Sequence, residues 1–201
     1  MNSLASAANP NPRAMRIIAG SHKGRRLQAP PGRTTRPTAD RVRESLFNIL
    51  SNGIGGIDLA GARVADLFAG SGAFGLEALS RGADYAAFVE TDRQALTALR
   101  ANLEACGAGS TSRVLACDAT RLPRADAPFS LVFMDPPYGK DLPRPALESL
   151  ISGGWVAPGS LVVVETGKNE DLPPPPGFDM LDARKYGAAK ITLLLWQATA
   201  E

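Results

Sequence analysis

The chain is poor in the side chains that usually carry metal, redox or covalent chemistry. Its two cysteines, Cys106 and Cys117, form no CxxC pair. That argues against a cysteine zinc site or a disulfide framework and fits a reduced cytoplasm, with both thiols expected to be buried and unreactive. The one histidine, His22, stands beside Lys23 and reads as a phosphate contact or an exposed residue rather than an acid–base catalyst. Aromatic residues make up only 6%, and Trp155 and Trp196 are expected in the core. No apolar run approaches the roughly 20 residues that cross a bilayer. Residues 1–14 show no charged start followed by an apolar stretch, so no secretory signal is expected.

What the chain does have is an uneven charge distribution. Residues 1–43 hold nine Lys/Arg and one acid, Asp40, for a charge of +8; the remainder holds thirteen Lys/Arg against nineteen acids, −6. A basic arm on a mildly acidic body points to a polyanionic partner.

The small, Pro- and Asn-rich residues 1–14 read as a disordered tail, and Met15 is an alternative start. Residues 15–35 read as a basic β-hairpin, strands Arg16–Gly20 and Arg25–Leu27, followed by a Pro/Gly/Thr loop over 30–37. Thr38 is placed as the N-cap of an amphipathic helix carrying Val42, Leu46, Ile49 and Leu50, closed by Asn52-Gly53. Residues 36–201 are expected to form a single α/β domain. Strands are placed at 64–68, 85–90, 113–117, 129–134 and 160–165, with helices between them, and Thr91 with Gln94 is read as a capping box. Two further strands, 180–186 and 190–196, form an antiparallel hairpin. The alternation implies a mostly parallel sheet with helices on both faces.

The informative polar residues fall at the C-terminal ends of the strands, where open α/β sheets bind ligands. The stretch Asp66–Gly75 is a glycine turn that lets the backbone approach a ligand closely. Glu90 ends the second strand, where a carboxylate can accept ribose hydroxyls. Asp118 ends the third, within reach of an adenine edge. Gly70, Gly72, Gly75 and Glu90 would equally suit a nicotinamide dinucleotide. Asp135-Pro136-Pro137-Tyr138 separates the two readings. The prolines bring carbonyl acceptors without N–H donors, Asp135 adds a carboxylate and Tyr138 a flat ring. That set suits a planar base bearing an exocyclic amine, and it has no evident use in hydride transfer.

In these motifs the chain resembles the class I S-adenosylmethionine-dependent methyltransferases. Through Arg16-Ile17-Ile18-Ala19-Gly20, Arg36-Pro37-Thr38, Asp40–Glu44 and Leu46-Phe47-Asn48 it resembles their bacterial 16S rRNA guanine-N2 branch, the RsmD type, over residues 15–196. The resemblance implies a Rossmann-like seven-stranded sheet with an antiparallel C-terminal hairpin. It implies S-adenosylmethionine bound by Asp66, Phe68, Gly70, Ser71, Gly72, Glu90, Thr91, Asp118 and Ala119. Asp135, Pro136, Pro137 and Tyr138 would hold the target guanine, position 966 in the usual ribosomal numbering. Arg16, His22, Lys23, Arg25, Arg26, Arg36 and Arg41 would grip RNA. The implied protein is a cytoplasmic monomer without a metal, acting on 16S rRNA either free or within an assembling small subunit. Competing readings are a DNA amino-methyltransferase, which lacks a visible DNA-recognition domain here; a glutamine-N5 protein methyltransferase, which usually has Asn where Asp135 stands; and a non-catalytic RNA-binding module.

Overall fold

Five short apolar runs, each bounded by turn residues, form the parallel part of one sheet. The computed structural model describes residues 15–30 and 37–197, the side chains of 37–40 excepted. In chain order the elements are α1 (Pro37–Ser51), β1 (Arg63–Leu67), α2 (Ala73–Ser80), β2 (Tyr85–Val89), α3 (Arg93–Ala105), β3 (Ser112–Leu115), β4 (Leu131–Met134), α4 (Pro143–Ser152), β5 (Leu161–Gly167), β6 (Phe178–Tyr186) and β7 (Ala189–Trp196). The seven strands lie in the order β3-β2-β1-β4-β5-β7-β6. All neighbours are parallel except β7, which pairs antiparallel with both β5 and β6. The expected α/β architecture and C-terminal hairpin are present, and the strand order reverses between β1 and β4.

Side-chain alternation sorts the core onto two faces. Val64, Leu131, Phe133, Leu161 and Val163 pack against Val42, Leu46, Phe47 and Leu50 of α1. Val132, Met134, Val162 and Val164 turn the other way, toward Ala146, Leu147 and Leu150 of α4, and toward Trp155 and Trp196. Both tryptophans are therefore core, as expected. A third cluster joins Ala86 and Phe88 of β2 to Leu76, Leu99 and Leu103 of α2 and α3. A Cβ on Gly75 would come within 2.4 Å of the Phe88 ring, so only glycine lets α2 lie this close to β2.

Several boundaries differ from the sequence reading. Helix α1 already includes Pro37, so Thr38 lies in its first turn instead of capping it. Strand β1 ends at Leu67, because Phe68 turns out of it with a positive φ of 59°. Asp66 thus sits one residue inside the strand. Strand β3 stops at Leu115 instead of Cys117. The chain then turns at Asp118, whose Oδ1 accepts from both the N–H and the hydroxyl of Thr120, each at 2.8 Å. Strand β4 begins at Leu131, two residues after Phe129. The N-cap of α3 is Asp92, accepting from the Ala95 N–H at 2.8 Å. Thr91 is one residue too early for that role, and its N–H goes to Glu90. The predicted disordered tail, the loop residues 31–36 and Arg36 lie outside the described residues.

Candidate functional site

Parallel register brings the strand ends to a common level. Leu67 pairs with Val89 on one side and Met134 on the other, Val89 with Leu115, and Met134 with Val164. The next residues along this edge are Phe68, Glu90, Ala116, Asp135 and Glu165. Three of those five are acids: Glu90 and Asp135 directly follow β2 and β4, and Glu165 lies within β5, which runs on to Gly167.

Glu90 organises the turn after β1. Its Oε2 accepts from the Gly70 N–H at 2.8 Å. Its Oε1 accepts from the N–H groups of Thr91 at 2.7 Å and Asp92 at 2.9 Å. A carboxylate offers about four acceptor directions, so one remains for a ligand hydroxyl. The positive φ values of Phe68, Gly70 and Gly72 wrap the backbone around this carboxylate. Such conformations in a non-glycine residue concentrate at ligand sites. Ser71 turns its hydroxyl away, toward the Met15 sulfur at 3.1 Å.

Asp66 lies below this level, buried, with Oδ2 accepting from the Gly75 N–H at 2.9 Å. Burial pushes its carboxyl up from 3.8 to about 8, opposed by the Gly75 hydrogen bond. The charges of Asp135 and Glu90 push the same way as burial, and buried Arg43 of α1 pulls back. Asp66 therefore keeps its proton at neutral pH, and a cation bound beside it would favour the ionised form. Asp118 is exposed beyond the β3 end, with its carboxyl held low by the Thr120 hydrogen bonds. Ala119 is buried in the core beside it. Burial pushes the thiols of Cys106 and Cys117 up, which keeps them protonated.

On the β4 side, Asp135 is half-buried and Pro136 is buried, while Pro137 and Tyr138 are exposed. Tyr138 is 44% exposed. Its hydroxyl donates to Glu165 Oε1, two residues before the end of β5. The following Gly139 N–H donates to Glu170 Oε1 at 2.7 Å. Glu165 was placed at a strand end by the sequence reading without being given a role. The signal was an acid closing the run Leu161–Val164, the same signal that marked Glu90 and Asp135.

The basic hairpin is a docked structure built around one antiparallel bridge, Arg16 with Arg26, instead of two full strands. Its apolar side, Ile17 and Leu27, is buried against α2 and α3. Glu77 of α2, fully buried, accepts from the N–H groups of Ile18 at 2.7 Å and Ala19 at 3.0 Å. It also pairs with Arg81 at 2.7 Å, whose guanidinium lies 4.8 Å from the centre of the Phe47 ring. At the base of the hairpin, Asn102 bonds both backbone groups of Gln28 and the Ser71 carbonyl. Its tip meets the far end of α2, where a Cβ on Gly20 would fall 1.7 Å from the Ser80 oxygen. Glu77 and Asn102 escape sequence reading because a polar residue on a helix looks solvated until its partner, from 50 or more residues away, is known.

Arg16, Lys23, Arg26 and Arg41 are exposed and His22 is half-buried. Arg25 is exposed but donates to the Ala105 carbonyl at the end of α3. The hairpin base thus lies beside the glycine turn, and its tip lies along α2 away from the carboxylate edge.

A family described as conserved hypothetical protein 95 matches residues 15–195. The "Ribosomal RNA small subunit methyltransferase D" of Escherichia coli (strain K12) is 38% identical over 187 residues, covering 93% of this chain and 91% of that protein. YlbH of Bacillus subtilis (strain 168) is 36% identical over 185 residues, covering 89% and 97%. The solved structure of Escherichia coli yhhF superposes with a TM-score of 0.79 at 36% identity, covering 92% of this chain and 99% of that one.

Proposed function

The chain belongs to the conserved hypothetical protein 95 family, and from that premise we propose that it transfers a methyl group from S-adenosylmethionine to the exocyclic N2 amine of a guanine in 16S ribosomal RNA. The single observation that carries the reading is the common register of Glu90 and Asp135, which sets a cofactor-type carboxylate and an amine-type acceptor on one sheet edge. The name of the Escherichia coli relative supports ribosomal RNA as the substrate, and the resemblance of the hairpin and α1 motifs supports guanine 966.

When bound, S-adenosylmethionine supplies a methyl carbon made electrophilic by its sulfonium. The chain's part is to hold and orient. Glu90 offers its remaining lone pair to a ribose hydroxyl. Binding of the cationic cofactor favours loss of the Asp66 proton. Asp135 and the Pro136 carbonyl accept the amine N–H bonds, which favours positive charge growing on nitrogen, and the released proton passes to Asp135 or to water. Tyr138 stacks on the extruded base. Positioning of this kind supplies up to roughly 7–11 kcal/mol, and a charge-stabilising group about 3 kcal/mol.

Labelled methyl transfer to naked 16S RNA, to small subunits and to DNA, followed by nucleoside analysis, tests the reading. N2-methylguanosine in RNA is expected. Label in adenosine, in DNA or in neither nucleic acid would overturn it.

A further inference from the structure

The sheet edge carries one acid that the proposed chemistry leaves unused. Glu165 follows Val164, the register partner of Met134, so it stands one strand over from Asp135 at the same level. Adjacent strands run about 4.8 Å apart. Leu161 and Val163 of β5 share a core face with Leu131 and Phe133 of β4, and alternation carries Glu165 and Asp135 onto that face as well. Glu165 uses Oε1 to accept the Tyr138 hydroxyl, and its Oε2 receives no hydrogen bond from the described residues. The carboxylate is half-buried, so it faces the edge without being fully solvated. An open acceptor is therefore fixed beside the stacking ring and beside the amine acceptor.

We propose that Glu165 is a specificity-determining residue, accepting the N1–H of the target guanine while Asp135 accepts the neighbouring N2 amine. This rests on the guanine-amine reading above. Guanine presents two adjacent donors on this edge, N1–H and N2–H, and two carboxylates on neighbouring strands match that pair. Adenine presents a bare N1 acceptor, which would meet a carboxylate lone pair. The hydrogen bond to Tyr138 fixes the rotamer of Glu165 and the plane of the ring together, so base stacking and edge recognition share one support.

The test uses 2-aminopurine, which keeps the 2-amine but has no N1–H. RNA is assembled around a synthetic segment carrying either guanine or 2-aminopurine at the modified position, and offered both naked and bound to small-subunit proteins. The wild type is expected to favour guanine in kcat/KM by on the order of tenfold to a hundredfold. Glu165→Gln, whose amide can donate to a bare N1, is expected to narrow that preference about tenfold, and Glu165→Ala to narrow it as well. Tyr138→Phe removes the anchoring hydroxyl but keeps the carboxylate, and is expected to narrow the preference by less than either Glu165 variant. A wild type that methylates the two bases equally overturns the inference, whether or not the variants fold. So does an unchanged preference in folded Glu165→Gln and Glu165→Ala. Methyl transfer to guanine that persists with either result leaves the underlying reading standing; its absence in the wild type removes both.

Discussion

The buried carboxylate of Glu77 accepts the Ile18 N–H at 2.7 Å across 59 residues of sequence, which makes the basic hairpin part of the folded body. The same carboxylate holds Ala19 and Arg81, and Arg81 rests on Phe47, so hairpin, α2 and α1 meet at one acid. Truncating it leaves two backbone donors and a guanidinium without their acceptor. Glu77→Ala is expected to destabilise the fold by about 3 kcal/mol in denaturant unfolding. A loss below about 1 kcal/mol would mean that the hairpin is held by its apolar contacts alone.

Asp66 makes the stability of the cofactor-free protein depend on pH. Its carboxyl, pushed up to about 8 in the folded chain, keeps its proton after the unfolded chain has lost one near 3.8. The folded state therefore binds the extra proton between these values. Stability falls as pH rises through that window, by at most about 1.4 kcal/mol per unit, and levels off above it. Asp66→Asn is expected to flatten the slope between pH 5 and pH 8 in thermal or denaturant unfolding. Equal slopes in the two proteins would refute the assignment. A cationic cofactor favours the ionised carboxylate, so its affinity for the wild type is expected to rise with pH over the same range.

The exposed basic residues of the hairpin divide into those already engaged and those open to RNA. Arg25 is tied to the Ala105 carbonyl, whereas Lys23 and Arg26 are exposed and form no ion pair among the described residues. Replacing Lys23 and Arg26 by Gln is expected to weaken RNA binding and reduce the slope of log K against log salt by roughly 0.7–0.9 for each phosphate that is no longer neutralised. An unchanged slope would place the RNA elsewhere on the molecule.

The sheet and the positions of Glu90 and Asp135 were legible in the sequence because each acid closes an apolar run, and that contrast is local. The docking of the hairpin was not. Ile17, Leu27 and Glu77 carry no local signal of what they pack against or bond. Their burial depends on packing between distant segments. The α3 cap was misplaced by one residue because Thr91 and Asp92 are both good caps. What distinguishes Asp92 is its side chain, whose Oδ1 accepts the Ala95 N–H at 2.8 Å. Glu165 was visible as a strand-ending acid, but its bond to Tyr138 requires β4 and β5 to be neighbours.

Asp135 is the group proposed to hold the reacting amine. Cofactor affinity and labelled methyl transfer to RNA, measured on one preparation of Asp135→Ala, test that claim most directly. Cofactor binding within about threefold of wild type, with transfer reduced by roughly a hundredfold to a thousandfold, is the expected result. Transfer near the wild-type rate would contradict it.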